Sequence, residues 1–168
     1  MNRVLVIGSG GSGKTTFAIR LAQVAGLPLI HLDSHYWLPH WQKRPNDEWL
    51  AILRKLLAGE RWIIDGNYGG TLEERLAGCD TVFFLDMPRR QCIARVLRRQ
   101  ISGWGRHRAE MPEGCNERLS LEFLAWIWSY PARRRGAILE RLEALKSSKQ
   151  VHVLRSDDEI DDFLHRLH

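Results

Sequence analysis

An α/β fold, with helices on both faces of a parallel sheet, is predicted by three features of this 168-residue chain. The apolar run Val4-Leu5-Val6-Ile7 leads directly into Gly8-Ser9-Gly10-Gly11-Ser12-Gly13-Lys14-Thr15, which satisfies the phosphate-loop pattern G-x-x-x-x-G-K-[ST] at every required position. Beyond it, short apolar runs alternate with stretches of helical periodicity. Asp33, Asp65 and Asp86 each follow an expected strand, so they converge on the crevice beyond the strand C-termini where ligands of such sheets sit. Together these predict a three-layer α/β/α P-loop NTPase architecture in one domain over residues 1–168, with a sheet of about five parallel strands and a small lid.

The first strand and the helix behind the loop aim successive backbone N–H groups into one concavity. Gly8, Ser9, Gly10, Gly11, Ser12, Gly13, Lys14, Thr15 and Thr16 are expected to hold a nucleoside triphosphate there, ATP or GTP. Lys14 reaches the β- and γ-phosphates, and the Thr15 hydroxyl takes a Mg²⁺ position. The first helix runs to residue 25 with Phe17, Leu21 and Val24 on one face, and Gly26 closes it. A second strand over 28–32 ends in Asp33 and opens an acceptor-binding region over about 33–60, which holds an aromatic loop and a helix over 47–58. A third strand over 61–65 is broken by Gly66, and Thr71 with Glu74 predicts a capping box for a brief helix.

A fourth strand covers 81–85, and Pro88 suits the first turn of a helix carrying Ile93, Val96, Leu97 and Ile101. Residues 102–118 hold three glycines, a proline and charges of both signs, which reads as a mobile lid. Helices over 119–130 and 131–145, a strand over 151–154 and a helix capped by Ser156 with Glu159 complete the order.

The net charge of +5 gathers in residues 89–108 and in Arg133-Arg134-Arg135. Helix-turn-helix, zinc-finger and single-strand-binding signatures are absent, so nucleotide phosphates are favoured over nucleic acid as the target of these bases. Cys79, Cys92 and Cys115 form no C-x-x-C pair and read as reduced thiols of a cytoplasmic protein. His107 and Cys115 alone make no zinc site. There is no signal segment and no apolar stretch near the roughly twenty residues of a membrane span. The sequence carries no sign of oligomeric state.

Missing elements give the chemistry a direction. No N-K-x-D tract reads guanine, and Phe83-Phe84-Leu85-Asp86 is followed by Met87 rather than a water-activating glutamate. Transfer to a small acceptor fits better, because it requires a lid that excludes water and basic groups over the moving phosphoryl. Arg95, Arg98 and Arg99 share a helix face beside the lid, and Arg106 and Arg108 lie within it. Arg98, Arg99, Arg106 and Arg108 are candidates for catalysis alongside Lys14; the alternative is a solvated basic surface. Trp37, Trp41 and Tyr68 can stack on an acceptor, whereas Trp62, Trp126 and Trp128 sit in apolar elements and read as core.

The P-loop, Asp33, the tract Trp62-Ile63-Ile64-Asp65-Gly66-Asn67-Tyr68 and the arginine-bearing lid resemble the adenylate-kinase-like group of P-loop nucleotide and nucleoside kinases. More narrowly, Leu32-Asp33-Ser34-His35-Tyr36-Trp37 and Phe123-Leu124-Ala125-Trp126-Ile127-Trp128 resemble the small bacterial FlaR-like proteins, also labelled DNA topology modulation proteins. The resemblance implies a kinase that uses ATP and Mg²⁺, with Asp65 holding the metal through water; a plain strand-ending turn is the alternative. Asp33-Ser34-His35-Tyr36 is similar to the acceptor tract of uridine-kinase-like enzymes, which implies a base for an acceptor hydroxyl, against a turn cap.

The chain also departs from that group. Tyr36 and Trp37, and then Asn67 and Tyr68, stand where adenylate kinases place arginines on the acceptor monophosphate; Arg44 and Arg75 lie at other spacings. The resemblance also implies that one arginine of Arg133-Arg134-Arg135 reaches the phosphates. The expected partner is a small nucleoside or nucleotide acceptor, with a hydroxyl compound such as a nucleoside ahead of a monophosphate, held by Asp33, Tyr36, Trp37, Asn67 and Tyr68. Two other readings stand beside this one: an ATP-binding regulator acting on DNA topology, and a shikimate- or gluconate-type metabolite kinase.

Overall fold

Alternate residues of the central strand β1 (Arg3–Gly8) face opposite layers of the molecule. In the computed structural model, which describes residues 1–105 and 111–167, Val4 and Val6 point to one layer and Leu5 and Ile7 to the other, all fully buried. β1 is flanked by β5 (Trp62–Asp65) and β6 (Thr81–Leu85), and β2 (Leu29–His31) and β7 (Gln150–Leu154) lie outside them. The order is β2-β5-β1-β6-β7 and every pairing is parallel. Such a sheet needs both faces covered, which explains its unbroken apolar strands.

One face is covered by α1 (Lys14–Ala25), α5 (Arg89–Ser102), α6 (Leu121–Tyr130) and α8 (Asp157–His165), through Phe17, Leu21, Val96, Ile127 and Ile160. The other is covered by α3 (Asn46–Leu57), α4 (Leu72–Gly78) and α7 (Gly136–Leu145), through Trp49, Leu53, Leu76, Ile138 and Leu142. Each such side chain contributes about 1.5–3 kcal/mol when fully buried. The chain leaves β1 toward β2 and later returns to the opposite side with β6, so the crevice opens at the C-terminal end of β1. Among the described residues no helix is long and apolar enough to cross a membrane.

Several predicted elements take a different form. β2 stops at His31, because Leu32 turns under the chain into the core and starts α2 (Leu32–Tyr36). Gly66 permits this turn, since a Cβ there would lie 2.8 Å from that of Leu32. The expected aromatic loop contains a hairpin, β3 (Trp37–Leu38) and β4 (Gln42–Lys43), whose turn holds His40 and Trp41 at φ 61° and 60°. Thr71 makes no capping box; its hydroxyl donates to the Tyr68 carbonyl at 3.2 Å. Ser156 does cap α8, accepting from the Glu159 N–H at 3.1 Å.

Pro131, which has no N–H, lies in a π-helical turn, Pro131–Arg135, that joins α6 to α7 without a break. Trp128 is not core: it is 47% exposed, with the Arg89 guanidinium 4.0 Å over its ring. Residues 111–118, in the expected lid, form no helix or strand.

Candidate active site

The P-loop is a backbone cradle. Gly11 takes φ 75°, and a Cβ on it would meet the Cys92 carbonyl at 2.3 Å, so only glycine lets the loop lie on α5. The Ser12 N–H closes the turn on the Ser9 carbonyl at 3.2 Å. Lys14 Nζ donates to that same carbonyl at 2.9 Å. The hydroxyls of Ser9 and Ser12 are buried and have no hydrogen-bond partner among the described residues, an orphaned pair of donors suited to phosphate oxygens. Thr15 is half-buried and Thr16 exposed.

Two carboxylates face Lys14. Burial lowers the lysine from its ordinary value, and the negative charges of Asp65 and then Asp33 oppose that loss. Asp65 is 5% exposed, and register places it beside His31, whose Nδ1 lies 2.7 Å from Asp65 Oδ1. Asp33 is bound by the Tyr68 hydroxyl, which donates to its Oδ1. Burial, then the nearby Asp33 charge, drives the phenol far above its ordinary range, so Tyr68 remains a donor. Tyr68 in turn packs on Tyr36 with ring centroids 4.4 Å apart and on Trp49 at 5.3 Å, and Tyr36 meets Trp37 at 5.1 Å. Asn67 Oδ1 accepts from the Tyr130 hydroxyl at 3.5 Å, while its Nδ2 is buried without a partner among the described residues.

The third strand-end carboxylate belongs elsewhere. Asp86 is clamped by Arg135, with Nε at 2.8 Å and Nη2 at 2.9 Å, and Arg155 approaches to 3.5 Å. It straps the turn after α6 to the end of β6 instead of serving the crevice.

The arginines separate in the same way. Arg99 pairs with the buried Glu117 at 2.9 Å, and its charge reaches Lys14. Arg98 is exposed. Arg95 spans from the Ser12 carbonyl at 3.5 Å to the Asp157 carboxylate. Arg106 and Arg108 lie outside the described residues. Arg44 is held by the His35 carbonyl at 2.7 Å and by Glu48 at 3.3 Å. Arg75 is wholly buried on the carbonyls of Gly66 at 2.9 Å, Thr71 at 3.3 Å and Tyr68.

Trp41 holds residues 115 and 116. Its backbone N–H donates to Cys115 Sγ at 3.3 Å, the thiol donates to the Leu38 carbonyl at 3.4 Å, and the indole Nε1 donates to the Asn116 carbonyl at 3.3 Å. Residues 115–116 thus fasten to the β3–β4 hairpin while Glu117 holds Arg99 on α5, so this segment touches both sides of the crevice. Sequence reasoning missed His31, Cys115 and Glu117. A usable signal existed for His31, which stands two residues before Asp33 at a strand end that pairs with the strand ending in Asp65.

No protein-family model matches the chain, and no curated protein does. Among solved structures it superposes on shikimate kinase from Acinetobacter baumannii in complex with shikimate, with a TM-score of 0.66 and 14% identity over 99% of this chain and 90% of that one. Shikimate kinase from Bacteroides thetaiotaomicron gives a TM-score of 0.59 at 16% identity, covering 99% of this chain and 95% of that one. A sugar kinase from Janibacter sp. gives 0.54 at 22% identity, covering 99% and 91%. The chain has the P-loop NTPase fold that these shikimate kinases share.

Proposed function

We propose that this protein is a small-molecule kinase that transfers the γ-phosphoryl group of ATP to an acceptor hydroxyl. The observation that carries the reading is the grouping of Lys14 in a glycine cradle with two carboxylates, one of them oriented by a phenol that stays protonated. The site fits the donor: Ser9 and Ser12 offer orphaned buried hydroxyls, and Lys14 is the half-buried cation of the same loop. Mg²⁺ fits Thr15 and Asp65, and when bound it neutralises charge on the β- and γ-phosphates.

The chain's own residues account for the rest. Asp33 accepts the proton of the acceptor hydroxyl as its oxygen bonds to the γ-phosphorus, and the bond from that phosphorus to the bridging oxygen breaks to release ADP. Tyr68 keeps Asp33 oriented, and His31 orients Asp65. Lys14 and Arg99 stabilise charge on the transferring group, with Arg98, Arg106 and Arg108 as further candidates from the sequence. The segment fastened through Cys115 helps exclude water.

The sequence resemblance to nucleoside and nucleotide kinases supports a nucleoside or nucleotide acceptor, with Tyr36 and Trp37 as its aromatic wall and Asn67 and Tyr68 beside it. The structural neighbours, two of them shikimate kinases and one a sugar kinase, favour a second reading in which the acceptor is a hydroxylated metabolite. The FlaR-like resemblance stands as a relationship to test by DNA binding. An ADP-release screen of MgATP against nucleosides, nucleoside monophosphates, hydroxy acids and sugars tests the proposal. Acceptor-dependent ADP formation is expected. Acceptor-independent ATPase activity, or steeply salt-dependent DNA binding with no acceptor found, would overturn it.

A further inference from the structure

Arg75, on α4, is fully buried, and its partners among the described residues are backbone carbonyls of a single turn, residues 66–71. That turn leaves β5 and carries Tyr68, the phenol bound to Asp33. We propose that Arg75 is a positioning residue: its guanidinium fixes the turn so that the Tyr68 hydroxyl meets Asp33 in the geometry the transfer requires. This rests on the kinase reading of Asp33, and Arg75 acts through Tyr68 rather than on a ligand.

The placement of this arginine is costly. Arg44, Arg95, Arg99 and Arg135 are partly exposed, and each pairs with a carboxylate. Arg75 has no carboxylate partner among the described residues, and burial lowers it only to about 10, so it stays charged in the interior at neutral pH. A buried cation without a counter-charge is unfavourable, and an apolar side chain of similar volume is often the more stable solution. What an apolar residue lacks is the fork. Guanidinium N–H groups diverge in one plane, so a single side chain holds carbonyls that face it from several directions. Nη1 donates to the Gly66 carbonyl at 2.9 Å, Nε to that of Thr71 at 3.3 Å and Nη2 to that of Tyr68. A lysine ammonium is a point donor and cannot span this set.

The Tyr68 carbonyl is held from two sides. Besides Arg75 it accepts from the Thr71 N–H and the Thr71 hydroxyl, both at 3.2 Å. The start of the turn is anchored by the Gly66 N–H, which donates to the Val6 carbonyl of β1 at 3.2 Å. Backbone and ring of Tyr68 are thus fixed separately. Arg75 and Thr71 hold the carbonyl, while Tyr36 and Trp49 hold the ring, with centroids 4.4 and 5.3 Å away. The hydroxyl then reaches Asp33, and a displacement of about 1 Å in such a site can cost about 10²-fold in rate.

Arg75→Lys, which keeps the charge and loses the fork, is compared with Tyr68→Phe and with the double variant. Acceptor-dependent ADP release, the MgATP dissociation constant and denaturant unfolding are measured for each. Arg75→Lys should lower kcat by about 10- to 100-fold, with MgATP affinity within about twofold of wild type. Because Arg75 acts through Tyr68, the double variant should match Tyr68→Phe within about twofold. Losses that multiply, or a wild-type kcat with only stability reduced, overturn the proposal. A second readout needs no turnover. In protein labelled with ¹³C at tyrosine Cζ, Asp33→Asn should shift the Tyr68 signal when Arg75 is present and leave it unmoved in Arg75→Lys. A shift of equal size in both backgrounds overturns the positioning role whether or not an acceptor is found. The expected pattern without turnover on any acceptor upholds the link from Arg75 to Tyr68 and overturns the kinase reading alone. Should Arg75→Lys fail to fold, Thr71→Val removes the hydroxyl from the same carbonyl. It should lower kcat by about 3- to 10-fold, with no further loss when added to Tyr68→Phe, and a wild-type kcat overturns the proposal.

Discussion

The sides of the crevice proposed for donor and acceptor are made from different materials. On the donor side the ligand groups are largely backbone, contributed by one continuous run, Gly8 to Thr15, that glycines hold against α5. On the acceptor side they are side chains drawn from distant parts of the chain: Asp33 meets Tyr68, Asn67 meets Tyr130, and Trp41 meets Cys115. A backbone cradle reads any triphosphate, whereas a side-chain wall reads one molecule. The difference divides the labour of the proposed kinase, with a generic donor site fixed by local geometry and a specific acceptor site fixed by tertiary packing.

Substitutions can break each side separately. On the donor side the largest effect is expected for Lys14→Ala, which should lower acceptor-dependent ADP release by at least about 10²- to 10³-fold with circular dichroism unchanged. Tyr68→Phe comes next. It removes one hydrogen bond to a carboxylate and should cost about 10- to 100-fold in kcat, since such bonds contribute roughly 1.5–3 kcal/mol. Because burial lowers Lys14 and raises Tyr68, the alkaline limb of kcat/KM should begin below 10.5, the ordinary lysine value, and should persist in Tyr68→Phe. A limb that disappears in that variant would assign the titration to the phenol instead.

Gly11→Ala tests the backbone cradle through stability. Its φ of 75° and the close Cys92 carbonyl predict a loss of about 1–3 kcal/mol in chemical denaturation. The smallest effect concerns neither side. Burial lowers His152, stacked on Phe83 at 4.7 Å, below 6.5, so protonation favours the unfolded chain. Stability present above that value is lost as pH falls through the lower folded-state value, and His152→Phe should flatten this acid slope.

The same contrast explains what could be read without coordinates. β1, the P-loop, α1 with its Gly26 cap, and β6 all follow from local signals, an apolar run, a glycine spacing and a helical period. The acceptor region did not follow, because its order is tertiary. Leu32 leaves its strand only because Gly66 gives it room, and the hairpin is held at Leu38 by Cys115, 77 positions further on. Asp86 illustrates the reverse error. Its place after a strand suggested a ligand, but local pattern says nothing of Arg135, which clamps it. Trp128 failed similarly, since an apolar tract does not show which face of a helix is left outside.

The division of labour rests on Asp33 acting on the acceptor without holding the donor. The most direct measurement is acceptor-dependent ADP release by Asp33→Asn enzyme saturated with MgATP, read together with the MgATP dissociation constant of the same preparation. Turnover should fall by about 10²- to 10⁴-fold, the range for loss of a positioned base, while MgATP affinity stays within about twofold of wild type. Turnover at the wild-type rate, or loss of MgATP binding in step with activity, would contradict the account.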